Sequence, residues 1–568
     1  MAADTLQGLT QQLMDGRISR REFTRRAIVL GVSASVIGSV LAAQGTSAHP
    51  ASASAPASAT LASEKVTFRV LVPSNGGVTD YKTNDFTKWY EAKTNVHIDW
   101  QVVPFDSAQD KLNIVLASGE YPDIIMNFNQ ANSLTPTQQQ LYGAQGVFIA
   151  LNALIDKYGV NTQKVFRVYP DAKDAVTATD GKIYSLPYVD DCYHCSMDKK
   201  LWFNRKWLDK LGLKMPTTTA EFGQVLKAFK TRDPNGDGKA DEIPLTGCPT
   251  SWNTTFDLYF MNSFIFNPGP PWVIANKGKI EAIYVTPQWK QGLAFLHRLY
   301  AEGLIDRQSF TQSPDQLTRL GNNPGPNLVG ACPGGTQGVF VNMTEGLAGR
   351  WLDYIALPPL KGPNGVRIAA WDPHLPIATG SFVITNACKR PDIAVRWADG
   401  LYERETTMRA NYGVLGRDWR WARQGEVGIN GKPAIWTPLP SNAKNTSWSQ
   451  TGPSYRPSWL RLGQAVTDAR DKNIEVLLYE QTRKNYAPYR QPASMWLPVL
   501  FFTQDQANQI AQMESTITQY VTQMFASFVT GKTDFTSGWD RYVCTLRGMG
   551  LPTYLQIYQA AYDAKYKK

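Results

Sequence analysis

Between residues 65 and 128 the hydrophobic period of the chain switches back and forth between that of a strand and that of a helix. "KVTFRVLVP" (65–73) is a β-rich run that Pro73 should end. "TNDFTKWYEAKTN" follows, with Phe86, Trp89 and Tyr90 at helical spacing behind a Thr83 or Asn84 cap. "VHIDWQVVP" (96–104) returns to strand spacing, Leu112 and Leu116 mark a second helix stopped at Gly119, and Asp123–Phe128 reads as a third strand. Strand, helix, strand, helix, strand is the order of a mostly parallel sheet covered by helices. In such α/β sheets a crevice forms outside the strand ends, and small ligands settle there.

The remaining chain is too long for one hydrophobic core. About 505 residues follow position 63, so two or more lobes are expected. "TATDGKIYSLPYV" (177–189) predicts a hairpin-like turn at Asp180-Gly181. "TTTAEFGQVLKAFKTRD" predicts a helix opened by a threonine cap with Glu221 close by. Residues 286–306 are strongly helical, "GSFVIT" is a strand followed by a helix, and the last 65 or so residues are helical.

The first 48 residues have the form of an export signal. Arg20-Arg21 precede Phe23 and more positive charge, a modest uncharged run spans 27–43, and small residues offer cleavage sites. The pattern resembles a twin-arginine signal, so the Tat translocase is an expected partner. Residues 49–63, rich in Ala, Ser and Pro, read as a linker. No cysteine precedes Cys192, so no N-terminal lipid is expected. The formal charge is +10, and +8 once the five Arg and three Asp/Glu of residues 1–63 are set aside. The positive charge is diffuse, which argues against a nucleic-acid partner. Six cysteines in an exported chain allow up to three disulfides in fifteen pairings. Cys192 and Cys195 lack a second Cys pair or a His pair at finger spacing, which argues against structural zinc.

One loop carries metal-type chemistry. In "TRDPNGDGKADEIP" (231–244), numbering from Asp233, oxygen donors fall at positions one (Asp233), three (Asn235), five (Asp237), seven (the Lys239 carbonyl) and nine (Asp241). That is the EF-hand ligand order, except that Glu242 at position ten stands in for the usual carboxylate at twelve. Crowded carboxylates repel one another without a cation, and hard oxygens suit Ca²⁺. The bland alternative is an Asx-rich turn held by its own side chains. Nothing flanking the loop supplies an acid or base for metal catalysis, so a bound ion would be structural.

Several segments, "KLNIVLASGEYPDIIM", "GVFIALNALIDKYG", "FNRKWLDKLGLKMPTTTAEFGQVLKAFKTRDPNGDGKADEIPL", "FLHRLYAEGLID", "GSFVITNACKRPDIAVRWAD" and "WDRYVCTLRGMGLPTYLQIYQAAYD", appear in the order they take in one known family. From about residue 65 to its end the chain resembles the family 1 extracellular solute-binding proteins of bacterial ABC importers, in particular the branch of alginate-oligosaccharide and lipo-oligosaccharide receptors. The resemblance implies a two-lobed type II periplasmic-binding-protein fold, each lobe a mixed sheet flanked by helices. It implies an N-terminal lobe of 64–187 plus about 330–425, and a C-terminal lobe of 188–329 plus about 426–568 that carries the calcium loop. The first crossing is expected near Leu186-Pro187-Tyr188. It further implies a monomeric, non-enzymatic receptor, exported to the periplasm or the outer face of the cytoplasmic membrane, that passes an oligosaccharide, acidic or neutral, to ABC permease subunits. The family's alginate receptors hold calcium in a loop that matches this one, which implies the same ligands here.

Sugar sites stack rings on aromatic side chains and satisfy hydroxyls with Asp, Asn, Gln and Arg. Aromatics in polar loops just after strands are therefore the candidates: Phe128 with Asn129, Tyr188 with Asp190 and Asp191, Trp252 with Asn253, Trp371 with Asp372 and His374, and Trp448 in "KNTSWSQTGPS". Trp89, Trp207, Trp289 and Trp397 sit on helical stripes and are expected in the core. Arg367, Arg417 and Arg456 are candidates to favour a uronate but have no assigned place. Rival readings are a secreted carbohydrate-active enzyme, and a sensing or adhesion receptor on the same scaffold. The sequence has no HExxH, GxSxG or Walker loop, and only five histidines.

Overall fold

The computed structural model describes residues 61–128, 134–343 and 349–567. The export signal and Asn129 lie outside these residues. The predicted alternation is observed: β1 (Val66–Pro73), α1 (Asp85–Thr94), β2 (Val96–Val103), α2 (Ala108–Ser118) and β3 (Ile124–Met126) follow in order. β1 pairs in parallel with β2 on one side and β3 on the other. The helix ends follow local chemistry. Asn84 accepts the Phe86 N–H at 3.0 Å to open α1, and Gly119, at φ 75°, closes α2 in a conformation that disfavours any side chain. Next come α3 (Pro136–Ala144), β4 (Leu186–Asp190), β5 (Lys200–Asn204), α4 (Thr219–Thr231) and α5 (Pro287–Ala301). They are followed by β6 (Ala331–Gly334), β7 (Tyr354–Ala356), β8 (Ile377–Ile384), α6 (Pro391–Gly400) and β9 (Ser454–Arg456). The chain ends in α7 (Gln504–Thr530), α8 (Gly538–Gly548) and α9 (Leu551–Tyr566).

Two sheets organise the chain into two lobes. The first has six strands in the order β9-β4-β8-β3-β1-β2, with β8 antiparallel to both neighbours. Alternation along β1 buries both faces. Phe68, Val70 and Val72 meet Tyr90, Trp397 and Trp448 on one side, while Leu71 meets Leu112, Leu116 and Phe128 on the other. The second sheet is the antiparallel trio β6-β5-β7, and Trp202, Phe203, Trp207, Phe222 and Trp289 anchor its core. Helix α7 joins that core through Ile517, Val521 and Phe528. Helix α4 opens with the predicted capping box, Thr218 to the Glu221 N–H and Glu221 back to Thr218. No helix among the described residues is long and apolar enough to cross a membrane.

The lobe boundaries differ from the sequence expectation. β4 belongs wholly to the first sheet, so the first crossing begins after Asp190 and not at Leu186–Tyr188. β6 and β7 pair with β5, which places 331–356 in the second lobe and moves the return to 371–376. β9 pairs with β4, so the stretch near 454 belongs to the first lobe; the following residues pack Leu460 against Trp419 and Trp436, and the chain crosses a third time before Leu478 joins the second-lobe core. The cause is strand length: β7 and β9 have three residues each and β6 four, too few for a period to show.

Candidate functional site

The first two crossings meet at one edge of the six-stranded sheet, where β4 ends and β8 begins, and the end of β9 is hydrogen-bonded to them there. The Asp190 N–H donates to Pro376 O at 2.7 Å, Asp191 N–H to Arg456 O at 2.9 Å, and Asp372 N–H to Ser196 O at 2.8 Å. The first crossing is tightened by a Cys192–Cys195 disulfide, and Cys248, Cys332, Cys388 and Cys544 are free. The Cys192, His194 and Cys195 ligand atoms lie within 4.8 Å of one another, but the disulfide takes both sulfurs and leaves no thiolate for a metal.

Asp190 and Asp191 are bound up in this junction. Asp190 receives Arg456 Nη2 at 2.5 Å and Arg461 Nη1 at 2.7 and 2.8 Å. Arg456 is nearly fully buried and also reaches the hydroxyls of Tyr188 (3.1 Å) and Tyr412 (3.2 Å). Asp191 accepts the Tyr169 hydroxyl at 2.9 Å, and burial raises its carboxyl above the usual range. Tyr188 donates to Gln450 Oε1 at 3.2 Å. Lys200, on the second-lobe side, is fully buried and donates to the carbonyls of His194 (2.8 Å) and Met197. Burial pushes its ammonium down to about 7. Buried charges satisfied in this way fix a geometry. The sequence flagged Arg456 without placing it. The structure puts Arg456 at the junction, sets Arg417 between Asp85 and Asp418, and lays Arg367 over the Tyr489 ring at 4.0 Å.

The aromatic candidates separate by burial. Trp252 is 46% exposed, a large apolar ring left open to solvent. Its indole lies against Gly335, where a Cβ would fall 2.5 Å from the ring carbons, and the Gly335 N–H donates to Trp252 O at 3.3 Å. Next to it, Asn253 holds φ 57° with its buried Nδ2 unpartnered, and both amide atoms of buried Gln337 are likewise unpartnered. Since Lys200 is opposite Gly334 in the second sheet, this cluster adjoins the first crossing. Trp371 is half-buried at the second crossing, its backbone clamped by Gln491 and its ring under the Arg490 guanidinium at 4.8 Å. Asp372 accepts the N–H groups of His374 and Leu375, and burial raises its carboxyl.

Two candidates are corrected. Phe128 is fully buried between the first sheet and α2, where the backbone turns inward directly after β3. Trp448 is a core residue despite its polar surroundings: its ring meets Phe86 edge-on at 4.6 Å and its N–H donates to Thr87 Oγ1 at 2.7 Å. The flanking polar groups are used locally, Ser447 O and Ser449 O accepting from the amides of Asn84 and Asn75. Of the tryptophans expected in the core, Trp207, Trp289 and Trp397 are buried, and Trp89 is half-buried beneath Lys93 and Arg409.

The acidic loop forms a tight coil. Asp233 (φ 45°), Gly236 (φ 81°) and Gly238 (φ 79°) take left-handed conformations that bend it. Asp233 accepts the N–H groups of Gly236 (2.7 Å), Asp237 (3.1 Å) and Gly238 (3.0 Å), while Asp241 accepts from Asn235 Nδ2 at 3.2 Å. Glu242 is buried, with Oε1 unpartnered, and its carboxyl is raised first by burial and then by Asp233 and Asp241. A buried carboxylate oxygen with no donor, next to two further acids, fits a hard cation. Asp233, Asn235, Asp237, the Lys239 carbonyl, Asp241 and Glu242 are the residues that would hold it.

Residues 75–408 match the model of the bacterial extracellular solute-binding proteins. Over 485 residues the chain is 30% identical to the fructooligosaccharide ABC transporter substrate-binding protein FusA of Streptococcus pneumoniae, covering 83% of this chain and 85% of the relative. The chain belongs to the bacterial extracellular solute-binding proteins. The FusA structure in complex with kestose superposes on this solute-binding protein with a TM-score of 0.71 at 25% identity, covering 88% of this chain and 99% of that one. A human-milk-oligosaccharide (HMO)-binding solute-binding protein from Bifidobacterium longum infantis shares the fold, with a TM-score of 0.74 at 23% identity over 89% of this chain and all of that one. The lipoprotein LipO of Bacillus subtilis is 23% identical over 68% of this chain and 72% of its own length. The family is one of binding proteins, and its two-lobed α/β architecture is the one described above.

Proposed function

We propose that this solute-binding protein captures an oligosaccharide between its lobes and hands it, unchanged, to the permease subunits of an ABC importer outside the cytoplasmic membrane. The observation that carries the reading is Trp252: a large, exposed aromatic ring held flat on Gly335 beside the bonded crossings, in a chain otherwise matching a fructooligosaccharide receptor along most of its length. An indole face offers a sugar ring an apolar platform, and Asn253 and Gln337 beside it carry buried amide groups without protein partners. The lobes close by rotation at the three crossings, and contacts made only in the closed state supply affinity. The loop 233–242 holds Ca²⁺ as a structural ion, a reading supported by its donor set and by the related FusA, of which an EF-hand mutant has been solved. Trp371, Tyr188 and Asp372 line or brace the cleft, and the leader directs the folded chain through the Tat translocase.

Incubating the mature protein with a panel of neutral and uronate oligosaccharides tests this. At least one sugar should raise the melting temperature, and chromatography should recover it intact. Cleavage products would overturn the receptor reading.

A further inference from the structure

A sizeable open cavity among the described residues lies apart from Trp252. It is a furrow of about 1000 Å³ between α3 of the first lobe and α7 of the second, floored by Leu500, Phe502 and Tyr142. Helix α3 starts in the segment that follows β3, at the edge from which the crossings leave, and the Phe502 N–H donates to Thr137 Oγ1 at 3.1 Å across the junction. The furrow thus begins at the inter-lobe boundary and draws one wall from each lobe.

Its chemistry is specific in what it contains and what it lacks. Gln138, Gln145, Gln504, Asn508, Thr518 and Gln519 line it, an amide- and hydroxyl-rich surface over half-buried aromatic side chains. No Lys or Arg lines it, and its one acid, Glu514, is held by the hydroxyls of Tyr558 (2.7 Å) and Tyr554 (3.3 Å). Gln504 and Asn508 bond each other at 3.0 Å, which arrays donors and acceptors one turn apart along α7. Amides pair with hydroxyls that are both donor and acceptor, and aromatic floors take apolar ring faces; a lining without Lys or Arg gives an anion no cation to pair with. The volume is at the upper end of the roughly 300–1,000 Å³ found for small-molecule sites.

Building on the receptor reading, we propose that this furrow is an additional glycan subsite, binding the distal residues of a neutral oligosaccharide whose other end occupies the cleft near Trp252. Because its walls belong to different lobes, a long chain engages it only as the lobes close.

The test is a chain-length series titrated calorimetrically against the full mature chain: neutral fructans, glucans, galactans and mannans of three to eight residues, with galacturonate oligomers alongside. The parent should bind the hexamer of one neutral series at least tenfold more tightly than its trimer, with no such gain for galacturonate. Ala511→Trp, which fills the furrow from an exposed helical position, should abolish the gain and leave trimer affinity and melting temperature unchanged. The milder double variant Gln145→Ala/Gln519→Ala should reduce it. Equal affinity for trimer and hexamer, or a gain that survives Ala511→Trp, overturns the subsite and leaves the receptor reading standing. A gain confined to galacturonate overturns the neutral assignment. No binding to any sugar overturns both.

Discussion

Replacing Trp252 and Trp448 one at a time separates a binding surface from a core. Trp252 is 46% exposed. A tryptophan side chain buries roughly 150–250 Å² when covered, so about 100 Å² of its ring remains for a ligand to cover. At about 25 cal/mol per Å² that surface contributes about 2–3 kcal/mol to binding, which is a roughly 50-fold range of affinity. Trp252→Ala should therefore weaken the sugar identified by the thermal-shift panel by one to two orders of magnitude while the protein stays folded, and Trp252→Phe should restore part of the loss. Trp448 is 1% exposed and packs on Phe86, Trp100 and Trp397, so Trp448→Ala leaves a cavity costing about 3–5 kcal/mol of stability. Isothermal calorimetry on variants that circular dichroism shows to be folded reads the first effect, and urea unfolding reads the second. Normal affinity in Trp252→Ala with lost affinity in a folded Trp448→Ala would refute the assignment of the two rings.

Other outcomes follow from the same geometry. If loop 233–242 holds calcium, a chelator should lower the melting temperature of the parent and leave that of Asp233→Ala, already lowered, unmoved; differential scanning calorimetry reads both. Asp190→Ala strands the buried Arg456 without its carboxylate and should cost about 3–5 kcal/mol in urea unfolding, more than Asp191→Ala, whose partner is a neutral tyrosine. Lys200 titrates near 7 in the folded chain against an ordinary 10.5, so the unfolded chain binds the extra proton between those values. Raising the pH from 7 to 10 should therefore stabilise the protein relative to Lys200→Met, by up to about 1.4 kcal/mol per pH unit, measured as the difference between their urea midpoints.

The parts of the fold that could be read in the sequence are those whose cause is local. Asn84, Gly119 and Thr218 end or begin helices through their own side chain or lack of one, and β1 and β2 are eight residues each, long enough for strand periodicity to show. Lobe membership was not readable, because it rests on which short strand pairs with which. Ala331–Gly334 looks no different whether it joins β5 or β4; only the partner decides, and the partner is more than a hundred residues away. The ion cluster at the crossings was hidden for the same reason. Asp190 meets Arg456 and Arg461 across some 270 residues, and no spacing in the chain announces it.

The two tryptophans show where the rule for finding sugar platforms fails. An aromatic residue among polar neighbours is expected to be exposed, and that expectation holds for Trp252 but not for Trp448. Around Trp448 the polar groups serve the backbone: Asn75 and Asn84 reach the carbonyls of Ser449 and Ser447, so the loop folds over the ring and water is excluded. Around Trp252 the backbone supplies the platform, since Gly335 allows an approach that any side chain would block, and the neighbouring amides of Asn253 and Gln337 are left without protein partners. Polarity of sequence therefore does not predict exposure; whether the loop packs over the ring does. That distinction also ranks the two ends of the proposed glycan path. At Trp252 a ring platform dominates, so affinity there should tolerate changes in linkage and fall with loss of the indole. Along α7 paired amides dominate, so affinity there should depend on hydroxyl configuration. Epimers that differ at one hydroxyl in the distal residues should be discriminated by the parent and not by Gln145→Ala/Gln519→Ala, and equal discrimination by both proteins would show that the furrow does not read the sugar.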